Sequence, residues 1–409
     1  MDVSWRSRAI LTTIAASTIA AAIANATPAN AQTVKIGATG ALTGPYNEFG
    51  EGVRRGALLA VERWNAKGGV IGRQIELTLA LDDQLVPDRA VQNLRRILDT
   101  PDIDVIIGPG GSGPTLAVID MATVDGRPYC NPQAQTPSIL YPDGLDKPAR
   151  KNVISTAIQN DVEATALGNY VSSRFKKIGL MHESTGYGVS GIQLLAARIE
   201  QLTKTKPVAI EAFNQRAQDM TAQISRVQRA DADVLVVIGL GADMAVIRRN
   251  MLRLGFDVPL ITSGGGISLP YKEGAGELAV GTRATMVGTY GPGQALKGMA
   301  KELADGYSAK FGKDRWWGDD PASPQLFFAT TVGAGFDCAN MLLEGVRRAG
   351  STDKAKVVAA LNALTGYEVA NGTANFSPQE HKLLTPEQIA VFEYFKDDKG
   401  QVALRIAKQ

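Results

Sequence analysis

The chain has very little of two side chains that build metal and nucleophile sites: two cysteines and two histidines in 409 residues. Cys130, Cys338, His182 and His381 are too scattered to form a structural zinc site, whose ligands come in close pairs. In an oxidising compartment the cysteines can pair. The reading preferred here is two buried small hydrophobes, since free cysteine is often buried. An excess of charge is missing too: 43 Lys and Arg against 41 Asp and Glu leave a net +2. That balance points to neither a nucleic-acid surface nor an acidic partner. The chain has no P-loop pattern and no G-x-S-x-G nucleophile turn. Beyond the N-terminus no run reads as apolar enough to span a membrane.

What is present begins with an export signal. Arg6 and Arg8 form a basic start, "AILTTIAASTIAAAIA" a short apolar run, and "ANAQ" a small-residue cleavage site ending at Ala31. Residues 1–31 are therefore read as a signal peptide, leaving a periplasmic mature protein. An uncleaved anchor is the weaker alternative, because the run is short and rich in Ala, Thr and Ser. No cysteine follows the signal, which excludes a lipid anchor there.

The remaining length is enough for two core-bearing domains. From residue 34, short β-branched runs alternate with amphipathic stretches. "VKIGAT" reads as a strand and "EGVRRGALLAVERWNAKGG" as a helix with Val53, Ala57, Ala60, Val61 and Trp64 on one face. "QIELTLALDD", "VPDRAVQNLRRIL" and "IDVIIG" continue the alternation, which argues parallel sheets covered by helices. The rhythm restarts near residue 153. There Asn160 and Glu163 look like a capping box, and a helix is expected from about Ser190. The last third predicts a long helix, a shorter one and a hairpin around "DDKG". Two α/β units that follow one another without a low-complexity linker create a cleft, a natural ligand site.

The segment "IIGPGGSGPTLAV" satisfies G-x-G-x-x-G at Gly108, Gly110 and Gly113. A dinucleotide fold places that fingerprint after its first strand, with a ribose-binding acid ending the second. Here it follows the third, and "RPYCNP" ends without an acid. The glycines still suit an anion, because backbone N–H groups and the helix dipole face it and Pro114 fits the first turn. Ser112 adds a hydroxyl. A tight turn that binds nothing is the structural alternative. His182 is read as a rim residue and His381 as a solvated loop residue. The acid pairs Asp82-Asp83 and Asp319-Asp320 are read as solvated turns. A hydrolase built on Ser112 and His182 is a poor reading, as nothing in the sequence brings the two together.

"IGATGALTGPYNEFGEGVRRGALLAVERWNAKGGVIGRQIELTLALDD" resembles the start of the periplasmic branched-chain amino-acid-binding proteins, the Leu/Ile/Val-binding family of ABC importers. "DVIIGPGGSGPTLAV", "YGVSG" and "DMTAQISRVQRADADVLVVIG" extend the resemblance over nearly the whole mature chain. It implies an α/β type I periplasmic-binding-protein fold of two doubly wound lobes joined by a multi-crossing hinge. One lobe would be 33–153 with 290–370, the other 154–289 with 371–409. It also implies a monomer that traps its ligand by lobe closure and docks on ABC permease subunits, with no enzyme chemistry, cofactor or metal. Gly111 and Ser112 would hold a ligand carboxylate. Gln133 and Gln135 stand where the family presents a carbonyl and a threonine hydroxyl, with Thr136 one residue on. Tyr187 would close from the second lobe, and Phe49 would form a rim.

Two positions depart from the family. The loop acid that holds an α-ammonium falls on Gly264, and an expected aromatic is Leu240. A buried ammonium without an anion is strongly disfavoured. The expectation is therefore a carboxylate with a less polar body, such as an aromatic or other organic acid. A branched-chain or other amino acid, with Glu183 or Asp243 supplying the charge, is the first alternative, and a periplasmic sensory module the second.

Overall fold

The computed structural model describes residues 1–2, 33–312, 314–315 and 325–408. The signal segment, apart from its first two residues, and Asp319-Asp320 lie outside the described residues.

Strands β1 (Val34–Gly40), β2 (Ile75–Asp82), β3 (Val105–Ile107), β4 (Tyr129–Asn131) and β5 (Val153–Ser155) form an all-parallel sheet in the order β2-β1-β3-β4-β5. Helices α1 (Asn47–Ala66), α2 (Pro87–Leu98) and α3 (Ser112–Asp125) make the crossovers. The second lobe repeats this plan. It uses β6 (Ile178–Glu183), β7 (Ala209–Phe213), β8 (Val234–Ile238), β9 (Leu260–Thr262) and β10 (Arg283–Val287), in the order β7-β6-β8-β9-β10. Its helices are α4 (Asn160–Ser172), α5 (Gly186–Thr203), α6 (Thr221–Arg229), α7 (Gly241–Arg253) and α8 (Leu269–Ala275). Counted from its own first strand, each sheet runs 2-1-3-4-5, a doubly wound order. Strands such as β3 and β8 are buried along their whole length, which is why they read as continuous apolar runs and not as alternations.

The last third supplies α9 (Gly298–Phe311), α10 (Leu326–Ala349), α11 (Lys354–Asn362) and the small hairpin β11 (Tyr367–Val369) and β12 (Gly372–Ala374). Strands β13 (Ile389–Lys396) and β14 (Val402–Ile406) then extend the second sheet antiparallel from β10. Helix α1 buries the face expected of it, Val53, Ala57, Ala60, Val61 and Trp64. It packs tightly on α10: a Cβ at Gly56 would stand 1.9 Å from the Val332 carbonyl oxygen, so only glycine fits there. The Trp64 indole donates to Asn340 Oδ1 at 3.0 Å. Among the described residues, α10, the long helix expected in the last third, is long and apolar enough to cross a membrane, where no such run was expected. Its apolar window is wholly buried inside the protein, so it is the core helix of the first lobe.

Three expectations are corrected here. Cys130 and Cys338 are not free thiols: they form a disulfide that ties β4 to α10 across 208 residues, with Cα atoms 5.6 Å apart. Both are buried, as expected, but as one bridge. His381 is not solvated. It is fully buried, with Nδ1 against the Val153 and Arg150 carbonyls at 2.7 and 3.1 Å and Nε2 3.1 Å from Asn362 Oδ1. Burial lowers its pKa. Asp83 is also fully buried. It accepts the Leu85 N–H at 2.8 Å and the Thr39 hydroxyl at 3.2 Å. Polar neighbours in sequence hid the burial of His381 and Asp83, because local polarity says nothing about which loop another segment covers, and the disulfide joins residues too far apart for either to reveal the other.

The chain passes between the lobes near the end of β5. Residues 376–383 lie against the first sheet: Ala149 N–H donates to the Pro378 carbonyl, Ser155 N–H to the His381 carbonyl, and Leu383 N–H to the Ser155 carbonyl.

Candidate ligand-binding site

Between the lobes lies a cavity of about 130 Å³. Its position follows from topology. The strand order of each sheet reverses between its first and third strands, and connections leaving that point on opposite sides open a crevice. From the first lobe come Phe49, on the helix after β1, and Gly110 to Pro114 after β3. From the second come Glu183, the last residue of β6, Thr185 and Tyr187 after it, and Gly239 and Leu240 after β8. Both switch points therefore feed one cavity.

The first-lobe wall is the start of α3. Gly111 is its N-cap residue and Ser112 opens the first turn. First-turn N–H groups have no acceptor within the helix, and the dipole is positive there. A Cβ on Gly110 would approach the Phe49 Cβ to 2.9 Å, so glycine lets α1 close over the turn. Ser112 Oγ accepts the N–H groups of Gln135 at 3.1 Å and Thr136 at 3.3 Å. A hydroxyl has two lone pairs and one proton. With both pairs engaged, the proton is what Ser112 has left to offer a ligand. Phe49 packs edge-on against Phe327, ring centroids 5.0 Å apart, and both rings line the cavity.

The second-lobe wall carries the charge. Glu183 is the acidic residue of the lining, and among the described residues no Lys, Arg or His joins it. Its carboxylate accepts the Thr185 hydroxyl and the Gln215 amide, and burial pushes its pKa up. Tyr187 stands in the first turn of α5, which begins four residues earlier than the expected Ser190, and its hydroxyl donates to Ser263 Oγ at 2.8 Å.

Not every expected residue lines this cavity. Gln133 and Gln135 do, and they also border a smaller adjoining cavity of about 20 Å³. Gly264 lines that smaller cavity, whereas its neighbour Gly265 lines the main one. Thr136 lines neither, and its buried Oγ1 has no hydrogen-bond partner among the described residues. Asp243 accepts the Arg216 N–H at 2.8 Å and is outside the lining. His182 turns its Nδ1 toward the Glu183 carbonyl at 2.8 Å and also stays outside, so the cavity does not bring Ser112 and His182 together.

Glu163 was misread from sequence. Gln159, not Asn160, is the N-cap residue of α4, and Glu163 makes no capping box. Its buried Oε1 accepts the Gly264 N–H at 3.1 Å and the Thr285 hydroxyl at 2.7 Å. Gln135, its amide turned to satisfy its neighbours, donates to Oε2 at 3.1 Å. Burial raises the pKa of Glu163 to about 7. An acid thus does reach the loop where the sequence has Gly264, but it comes from α4. The signal was available: Glu163 shares the i, i+4, i+8 face of Leu167 and Val171, both fully buried. Gln215, Thr185, Leu85, Pro87 and Phe327 also line the cavity and had no signal at the level of single motifs.

Residues 33–399 match the family model described as periplasmic binding protein. The chain belongs to that family. It is therefore a binding receptor and not an enzyme. The binding protein is 25% identical over 369 residues to the leucine-, isoleucine-, valine-, threonine- and alanine-binding protein of Pseudomonas aeruginosa, covering 90% of this chain and 91% of that one. It is 28% identical to Leu/Ile/Val-binding protein homolog 3 of Brucella melitensis, over 90% and 92% of the two chains. Among solved structures it is similar to a type 1 periplasmic binding protein from Bordetella pertussis, with 52% identity, a TM-score of 0.87, and coverage of 92% of this chain and all of that one. It shares its fold with a leucine-binding protein of Thermotoga maritima, with a TM-score of 0.76 at 23% identity, over 91% and 98% of the chains. The type I periplasmic-binding fold expected from the sequence is the fold found.

Proposed function

We propose that this binding protein is the exported receptor of an ABC importer, and that it captures a small carboxylate by closing its lobes in the periplasm before docking on the permease as a monomer. The observation that carries the reading is the start of α3. There Ser112 has its lone pairs occupied and its proton free, beside first-turn N–H groups, in a wall of the main cavity. A cavity of about 130 Å³ is well beyond the roughly 10–15 Å³ that a single water needs, so it has room for a small organic ligand. Phe49, Phe327 and Leu240 suit an apolar body, which favours an aromatic or other organic acid. The lobe limits 33–153 with 290–370 and 154–289 with 371–409 are kept, with one adjustment: the third crossing falls after residue 383, since residues 376–383 bond to the first sheet.

A second reading is an amino-acid receptor. Two observations favour it: the relatives' printed ligands, and Glu183 in the cavity wall as a partner for an ammonium. A thermal-shift panel separates the two. A ligand at a hundred times its Kd stabilises by about 2.7 kcal/mol. Stabilisation by aromatic or short-chain acids lacking an α-amino group is the expected result. Stabilisation by leucine, isoleucine or valine alone would replace the first reading with the second. Normal uptake of every stabilising acid in a strain lacking the protein would point instead to a sensory role.

A further inference from the structure

Glu183 gives the cavity a second polar end. A carboxylate offers about four lone-pair sites. Two of Glu183's are taken by neutral donors, the Thr185 hydroxyl on Oε1 and the Gln215 amide on Oε2. The side chain is fully buried, lines the main cavity, and shares it with no cationic side chain among the described residues. Asp243, close enough to act on it, adds charge of the same sign. Each Glu183 oxygen thus has one neutral donor and no cation, and keeps a lone pair that a ligand donor in the cavity can take. Ser112 and Glu183 belong to opposite lobes, and Phe49, Phe327 and Leu240 line the space they share. The two polar ends have opposite demands: the α3 turn offers donors, and Glu183 offers an acceptor.

We propose that Glu183 determines specificity by accepting a hydrogen bond from a hydroxyl or amino group at the end of the ligand away from its carboxylate. The ligand class is then an acid with a donor at its far end, separated from the carboxylate by an apolar body. This rests on the small-carboxylate reading and adds the far-end requirement to it. The same contact couples ligand to closure, because a molecule held at both ends joins the two lobes, while one held at the α3 turn alone leaves the second lobe unrewarded.

The test is calorimetric titration of matched pairs, benzoate against 4-hydroxybenzoate and pentanoate against 5-aminopentanoate. The proteins are wild type, Glu183→Gln and Ser112→Ala, each checked for folding by circular dichroism. The wild type is expected to prefer the donor-bearing member of at least one pair by tenfold or more. Glu183→Gln should lose most of that preference while still binding the parent acid. Ser112→Ala should weaken both members alike. Equal binding within both wild-type pairs, or a preference that survives Glu183→Gln, overturns the proposal and leaves the small-carboxylate reading standing. If no acid binds the wild type, or Ser112→Ala changes nothing, that reading fails and the proposal falls with it. Should Glu183→Gln fail to fold, Gln215→Leu decides the matter. It keeps Glu183 and removes one of its donors, so the preference must persist or grow, and its loss overturns the proposal.

Discussion

The two lobes are the same scaffold with different chemistry. Each sheet runs 2-1-3-4-5, and each presents the loops after its first and third strands to the cleft. The first lobe presents the donors of the α3 turn, its glycines and Ser112, beside the Phe49 and Phe327 rings. The second presents the Glu183 acceptor with its Thr185 and Gln215 partners, beside Tyr187 and Leu240. Topology thus decides where the cavity is, and a few residues at the strand ends decide what each side of it asks of a ligand. The lobes differ in bracing as well. The first is stapled by Cys130–Cys338, while the second adds two antiparallel strands to its sheet edge and has no disulfide.

The largest expected effect comes from removing that staple. The double substitution Cys130→Ala and Cys338→Ala should cost about 2–5 kcal/mol, the range for a native disulfide. Chemical denaturation should then show a first lobe that unfolds before the second. A single transition with an unchanged midpoint would make the bridge irrelevant to the difference between lobes.

Next comes the donor wall. Ser112→Ala removes a hydrogen bond to a charged ligand group, worth about 1.5–3 kcal/mol, so affinity should fall roughly ten- to a hundredfold, and the apo melting temperature should fall too because the Gln135 and Thr136 N–H groups lose their acceptor. Titration of a stabilising acid reads both.

Burial raises Glu48, Glu163 and Asp337 to about 7 from ordinary carboxyl values. A group whose folded pKa is raised binds more protons folded than unfolded between the two values. Stability from these three is therefore full below about pH 4.5 and is lost as pH rises through about 7. The apo protein should melt higher near pH 5 than near pH 8. Glu163→Gln should flatten the second lobe's share, on the order of 1–3 kcal/mol. An unchanged slope in that variant would show that Glu163 is not the group responsible.

The smallest effect tests the cleft mouth. The Arg216 guanidinium sits 5.3 Å from the centroid of the Tyr46 ring, reaching from one lobe to the other. Arg216→Ala should weaken ligand binding by about 0.5–1 kcal/mol, mostly through faster release in stopped-flow traces. Faster release with unchanged association is the signature expected of a contact made after closure.

How legible all this was in the sequence depended on the range of the interactions. Strands and helices of both lobes could be read from periodicity, because β3 and β8 are continuous apolar runs and α1 keeps its buried face in register. The start of α3 could be read too, since its glycines, Ser112 and Pro114 are consecutive. What could not be read was set by segments far apart in the chain. Cys130 meets Cys338 across 208 residues. His381 is buried by a turn more than two hundred residues away. Glu163 reaches a loop a hundred residues on, and a local capping pattern offered a simpler role for it. Glu183 could be named as a source of charge, but the neutral donors around it depend on the fold of the β6 and β7 ends.

The central claim is tested most directly by a crystal structure of the closed protein with a stabilising acid bound. The account predicts a carboxylate within about 3 Å of Ser112 Oγ and the first N–H groups of α3, with the ligand's far end toward Glu183. A ligand that turns an ammonium or an apolar end to Ser112, or that binds outside this cavity, would contradict it.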